Sequence, residues 1–444
     1  MTNRAFDLIV RGGTLVSTEG SRRVDVGIRD GVFAEIGDLS GREAARVFSA
    51  TGLHVLPGVI DTQVHFREPG LTHKEDIESG TRGAVAGGVT AICEMPNTDP
   101  PTTTPERLAD KLERAARTSW SDYAFFAGAA TDNIEHLPEM QRMPGCAGIK
   151  IFMGSSTGNL LVAEDEQVRR VLAVASRRCS VHSEDEARLR ERLPLREGPQ
   201  GVHLHPVWRD VETALRSTRR IIAIAEELDR PVHILHITTA EEMELLASHR
   251  EGGLITVECT PQHLTLAAPD CYDELGTLAQ MNPPIREAEH REGLWAGVAK
   301  GVVDVIGSDH APHTREEKAR GYPNTPSGMT GVQTLVPIML DHVARGRLTL
   351  ERLVELTSAN AAKIFGMSDR GYVRPGLRGN LTVVDLSAER EIDDAWIESR
   401  VGWTPFRGRR VRGWPVATII GGAFAMENGR LARVPVEPIA YEGV

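Results

Sequence analysis

Residues 61–68, Asp61-Thr62-Gln63-Val64-His65-Phe66-Arg67-Glu68, decide how this chain is read. They close an apolar, strand-like run over 55–60 with side chains able to hold a cation and an anion. Alternate residues of a strand share a face. Asp61, Gln63 and His65 are therefore expected to point the same way at the carboxyl end of the strand, with Arg67 in the loop beyond it. A strand ending in such groups builds a site rather than a core.

Downstream, β-type apolar runs alternate with helix-length segments, the pattern of a parallel α/β architecture. Candidate strands cover 59–65, 89–95, 123–127, 147–152, 179–182, 231–236, 254–258 and 303–308. Eight strands, each with room for a helix after it, predict an α/β fold of the (β/α)8 barrel type, whose site lies at the carboxyl ends of the strands. His65, Lys150, His182, His236 and Asp309 all fall at such ends. The competing architecture, a doubly wound open sheet, calls for a Gly-x-Gly-x-x-Gly turn after a strand, and the chain has none there. Both chain ends are β-rich and punctuated by Gly turns, over 7–10, 14–16, 24–29 and 32–37 before the barrel and over 381–386 and 417–421 after it. Residues 1–56 and 369–444 are expected to pair into one small β-sandwich domain, with 57–368 forming the barrel.

Bulk properties narrow the classes of function. The chain has 444 residues, 51 basic against 62 acidic, and a net charge of -11 with no dense basic block, which argues against nucleic acid as a partner. Its longest apolar stretches, such as 416–426, fall short of the roughly 18 to 20 residues that span a bilayer. Arg4 and Asp7 stand where a secretory signal has its apolar core. The five cysteines are scattered without a Cys-x-x-Cys, so idle thiols in a reducing cytoplasm are expected.

Single histidines say little, because a core or surface role is the ordinary one; position changes the weight. Lys150 interrupts the apolar strand Gly148-Ile149-Lys150-Ile151-Phe152. It is either ion-paired or snorkelling, or a buried amine kept for chemistry, since a lone buried ammonium is costly. His203-Leu204-His205 forms a literal His-x-His, but it lies in a Gly/Pro-bounded loop with no strand to impose a shared face, and a structural role is expected. His54, His73, His233 and His290 receive no role. Thr238-x-x-Glu241 reads as a capping box opening the helix after His236. Gly154-Ser155-Ser156-Thr157-Gly158 is either a loop over the substrate or a plain turn.

Taken together, Gln63-Val64-His65, Lys150, Ser180-Val181-His182, Leu235-His236 and Ser308-Asp309-His310-Ala311-Pro312-His313 resemble the amidohydrolase superfamily. Val64-His65-Phe66-Arg67-Glu68-Pro69-Gly70 is similar, more narrowly, to its dihydroorotase branch. The resemblance implies a hydrolase of cyclic amides with one or two Zn2+ ions. His65, His182, His236, Asp309 and Gln63 would be ligands, a carbamylated Lys150 would bridge the ions, and Asp309 would also shuttle the proton. It further implies that Arg67, Asn97 and His313 bind a substrate carboxylate, that Asn282 reaches the ring, and that Ser327-Gly328 offer backbone contacts. The pattern departs at Gln63, where the superfamily has the first histidine of His-x-His. A carboxamide oxygen is a weaker zinc ligand than imidazole, so the first metal position is expected to be the weaker one. The resemblance also implies a cytoplasmic homo-oligomer, a dimer or tetramer, with aspartate transcarbamoylase as a possible partner. Hydantoinases, allantoinases and non-catalytic dihydroorotase-like subunits are the alternatives.

Overall fold

The computed structural model describes residues 5–156 and 160–443. All eight expected barrel strands form: β1 (Val59–Val64), β2 (Val89–Glu94), β3 (Asp122–Gly128), β4 (Cys146–Phe152), β5 (Cys179–His182), β6 (Val232–Ile234), β7 (Ile255–Cys259) and β8 (Val305–Ile306). They pair in chain order as one parallel sheet. Every residue of these strands is buried, which is why they read as continuous apolar runs rather than alternating ones. The sheet closes where Val64 bridges His310 in parallel and the His65 N–H donates to the His310 carbonyl at 2.7 Å. The closing seam thus carries two of the expected site residues, His65 and the neighbour of His310, Asp309.

The late strands are shorter than expected. The chain leaves the ladder before His236 and Asp309, and both adopt left-handed backbone, with φ of 38° and 45°. Arg67, with φ of 64°, does the same after β1. The other non-glycine residues of this kind among the described residues are Asp30, Asp229 and Asn428, residue types that tolerate the region in turns. Arginine and histidine there mark backbone strain retained for a reason other than turning the chain.

The two chain ends pair into one nine-stranded sheet, in which Leu381–Glu391 joins His54–Pro57 antiparallel. Phe6–Ser17 is one strand with a bulge between Val10 and Gly13, where two strands were expected; it pairs with Ala44–Ser49 and then with His54–Pro57. The sheet buries its own apolar cluster, including Leu8, Val26, Ile28, Phe33, Val55, Val383 and Ile419. It is tied to the barrel through Asp122 at the start of β3, whose carboxylate accepts from Arg370, Arg378 and Asn380. Burial opposes ionisation of Asp122, but the two guanidiniums win and hold its carboxyl below the usual range. Ile439 and Tyr441 then pack beneath the barrel against Ala91, Phe126 and Ala147. Among the described residues, no helix is long and apolar enough to cross a membrane.

Candidate active site

A cleft of about 330 Å³ opens at the carboxyl ends of the strands. Gln63, His65, Arg67, Asn97, Lys150, His182, His236, Asn282 and Asp309 all line it, as do Ser327 and Gly328. His313 does not line it. Its Nε2 lies 3.3 Å from Arg67 Nη2 and 3.0 Å from the Ser327 carbonyl, so it stands behind the guanidinium and the wall. Asp61 is also outside the cleft, contrary to simple alternation. The pairing of β1 shifts register between Asp61 and Val64, and Asp61 instead accepts the backbone N–H groups of Gln63 and Ser308, clamping β1 to the end of β8.

Among the described residues, no three His, Cys, Asp or Glu side chains converge on one point. The donors come as two facing pairs with Lys150 near both. In the first pair, His65 Nδ1 lies 2.7 Å from Asn97 Oδ1, an acceptor, so the ring proton belongs there. That leaves the Nε2 lone pair directed at Asp309 Oδ1, 3.2 Å away. In the second, His182 Nε2 donates to Glu184 Oε2 at 2.9 Å, leaving its Nδ1 lone pair 3.1 Å from His236 Nε2. Ligands of a tetrahedral zinc ion, at about 2.0 to 2.1 Å from the metal, lie roughly 3.3 Å from one another. Two acceptors facing each other, as His65 Nε2 and Asp309 Oδ1 do, call for a cation between them, whereas the His182–His236 contact is closed either by such a cation or by a proton on His236 Nε2, whose ring Nδ1 has no partner.

Lys150 is fully buried and its Nζ has no hydrogen-bond partner. Burial pulls its pKa down to about 7, against the opposing fields of Asp309 and Glu258. Its charge is felt by His65, His182 and His236 alike. An amine neutral near pH 7 is the form that condenses with carbon dioxide. The anionic carbamate would convert a misplaced charge into a bidentate ligand between the two pairs, so the donor set fits a metal. Gln63 stands beside the first pair in the cleft. Its amide Nε2 donates to Asp309 Oδ1 at 3.0 Å, while Oε1 is buried without a partner.

Several groups at the site escaped the sequence reading. Glu184 orients His182 and is itself paired with buried Arg209, whose field helps hold its carboxyl near 2 despite burial. The adjacency in His182-Ser183-Glu184 was the available signal. Glu258, buried at the end of β7, is raised to about 8 by burial and bonded by Thr62 Oγ1 at 2.6 Å. Nothing local in the sequence sets it apart. Two expectations need correction. The helix after His236 is capped by Thr239, which accepts from the Glu242 N–H, one residue beyond the expected box; Thr238 accepts from Arg286 instead. His203 and His205 belong to short helices rather than a loop, and His205 Nε2 lies 3.0 Å from Asn282 Oδ1, supporting that cleft residue from behind. Of the loop 154–158, Ser156 lies at the cleft, 3.4 Å from Asn282, while Thr157 and Gly158 fall outside the described residues.

The model of the amidohydrolase family matches residues 54–425. A dihydroorotase of Halobacterium salinarum is 36% identical over 370 residues, covering 83% of this chain and 85% of its own. An allantoinase of Rubrobacter xylanophilus is also 36% identical, over 450 residues, covering 97% of this chain and 96% of its own. Among solved structures, an L-hydantoinase (dihydropyrimidinase) from Arthrobacter aurescens superposes with a TM-score of 0.92 at 29% identity, covering 96% of this chain and 97% of that one.

Proposed function

Because the chain belongs to the amidohydrolase family, we propose that it is a dihydroorotase, interconverting dihydroorotate and N-carbamoyl-L-aspartate, with ring closure in pyrimidine biosynthesis as its physiological direction. Hydrolysis of cyclic amides is common to the dihydroorotase, allantoinase and hydantoinase relatives, and this chain is a hydrolase of that class. Arg67 carries the narrower reading. Its guanidinium is 1% exposed, its Nη1 has no partner, and no carboxylate of the described residues pairs with it. A buried cation with a free donor in a substrate cleft suits an anionic ligand group. Dihydroorotate has a carboxylate; hydantoin and allantoin do not.

In this reading His65 and Asp309 would hold the first, weaker metal position and His182 and His236 the other, with a carbamylated Lys150 as a ligand common to both. When bound, the metal lowers the pKa of water toward neutrality and polarises the scissile carbonyl. Asp309 takes the proton of the attacking water at its carboxylate and delivers it to the ring nitrogen as the C–N bond breaks. Gln63 steers that carboxylate through its bond to Oδ1. Arg67 and Asn97 bind the substrate carboxylate, with His313 bracing Arg67, and Asn282, held by His205, faces the ring.

A kinetic screen of the purified protein against dihydroorotate, hydantoin and allantoin, with metal analysis alongside, tests the proposal. Turnover of dihydroorotate well above the other two is expected. Preference for either carboxylate-free ring refutes it in favour of another cyclic amidase, and no turnover with full metal content favours a non-catalytic subunit.

A further inference from the structure

One buried cation beside the cleft has no part in the chemistry above. Lys318 ends the short helix Arg315–Lys318 and is 1% exposed. A buried lysine usually meets a carboxylate, but among the described residues Lys318 makes no ion pair. Its neighbour Glu317 is engaged elsewhere, facing Lys74 at 3.4 Å and accepting from the Thr314 N–H. All three ammonium donors instead go to backbone carbonyls, those of Gln280, Pro326 and Gly328, each at 3.0 Å.

These carbonyls are not scattered. Pro326 and Gly328 bracket Ser327, and Ser327 and Gly328 form part of the cleft wall. Gln280 lies two residues before Asn282, another lining residue, and its carbonyl also accepts the Gly328 N–H at 2.9 Å. The Gln280 side chain donates to the Thr325 carbonyl at 2.9 Å and to Ser327 Oγ at 3.1 Å. The Lys318 carbonyl in turn accepts from Thr277 and Thr325. The wall is held tightly because it has no room to spare: a Cβ on Gly328 would lie 2.3 Å from the Ala311 carbonyl, and the backbone there sits at φ of 138°. A buried side chain whose donors are all spent on main chain fixes the position of that main chain.

We propose that Lys318 is a positioning residue for substrate selection, pinning the Gln280 and Pro326–Gly328 segments so that Ser327 and Gly328 form, beside Arg67, the wall that receives the carboxylate-bearing ring. The proposal deepens the dihydroorotase reading and rests on it for the identity of the ring. Lys318 touches neither the facing ligand pairs nor Lys150, so its loss acts on binding and leaves the chemical step intact.

The test compares the metal-loaded natural protein with Lys318→Met, and with Gln280→Met, which removes only the side-chain tie to the same wall. Lys318→Met is expected to raise KM for dihydroorotate about tenfold or more, with kcat within about threefold and metal content unchanged, the signature of lost ground-state binding. Gln280→Met should shift KM in the same direction by less, and the double variant should fall short of the sum, because both changes loosen one wall. Unchanged KM in folded Lys318→Met, or a loss confined to kcat, overturns the proposal. Should Lys318→Met fail to fold, unchanged KM in Gln280→Met overturns it equally. If the natural protein turns over hydantoin or allantoin instead, the dihydroorotase reading fails on that measurement. The same variants on that substrate then decide Lys318 separately, a raised KM supporting its role and an unchanged one refuting it.

Discussion

Replacing Arg67 by methionine isolates the feature on which substrate identity turns. Methionine keeps much of the apolar stem and removes the fork. Burial lowers the guanidinium pKa to about 10, leaving it charged at neutral pH, and Nη1 has no partner. What the natural protein loses is a charge-assisted hydrogen-bonded contact to the substrate carboxylate, worth about 1.5 to 3 kcal/mol. At about 1.36 kcal/mol per decade, kcat/KM for dihydroorotate should fall roughly 10- to 150-fold. The side chain also bonds to the Pro312 carbonyl and to His313, both at 3.3 Å, so part of any loss will reflect a loosened loop. Measuring dihydroorotate and its methyl ester on both proteins separates the two effects. Loosening lowers both substrates together, whereas loss of the carboxylate contact lowers the acid alone. The acid-to-ester ratio of kcat/KM should therefore collapse by the stated factor, with metal content unchanged. An unaltered ratio in a folded, metal-replete Arg67→Met protein would refute the assignment.

Lys150→Ala should abolish activity and metal bridging, with partial recovery when a short-chain carboxylic acid is supplied; full activity without any additive would remove the carbamate from the mechanism. Gln63→His replaces a donor to Asp309 by a ligand and should raise the metal content per chain measured by elemental analysis; two tightly held ions in both proteins would show that Gln63 does not weaken the first position. Asp122→Asn would remove the buried anion that Arg370 and Arg378 share, leaving Arg370 its pair with Asp369 and Arg378 its pair with Glu437, and should destabilise the fold by about 1.5 to 3 kcal/mol in denaturant unfolding. Because the folded pKa of Asp122 is depressed, its contribution is present above the unfolded carboxylate value of about 3.9 and is lost as pH falls below it. A natural protein that loses no more stability than Asp122→Asn on acidification below that value would contradict this assignment.

All eight barrel strands and the joining of the two chain ends were legible because parallel strands buried on both faces leave long apolar runs, and the runs were counted in order. Strand limits were less so. The lengths of β6 and β8 depend on where His236 and Asp309 turn into left-handed backbone, and nothing in their neighbouring residues announces it. The facing of Asp61 failed for a related reason, since a shift of register in β1 breaks the alternation on which the expectation rested.

The sequence by itself determined which reactive side chains would meet: His65, Lys150, His182, His236 and Asp309 stand at strand ends, strand ends of such a barrel converge, and all five line one cleft. The tertiary structure decided how they are paired and supported. Asn97 behind His65, His205 behind Asn282 and Lys318 behind the Gly328 wall come from separate elements, and Glu184, two residues from His182, reaches its ring through the path the chain takes after β5. Each acts through hydrogen bonds of about 3 Å, and only the folded backbone brings those atoms within that reach.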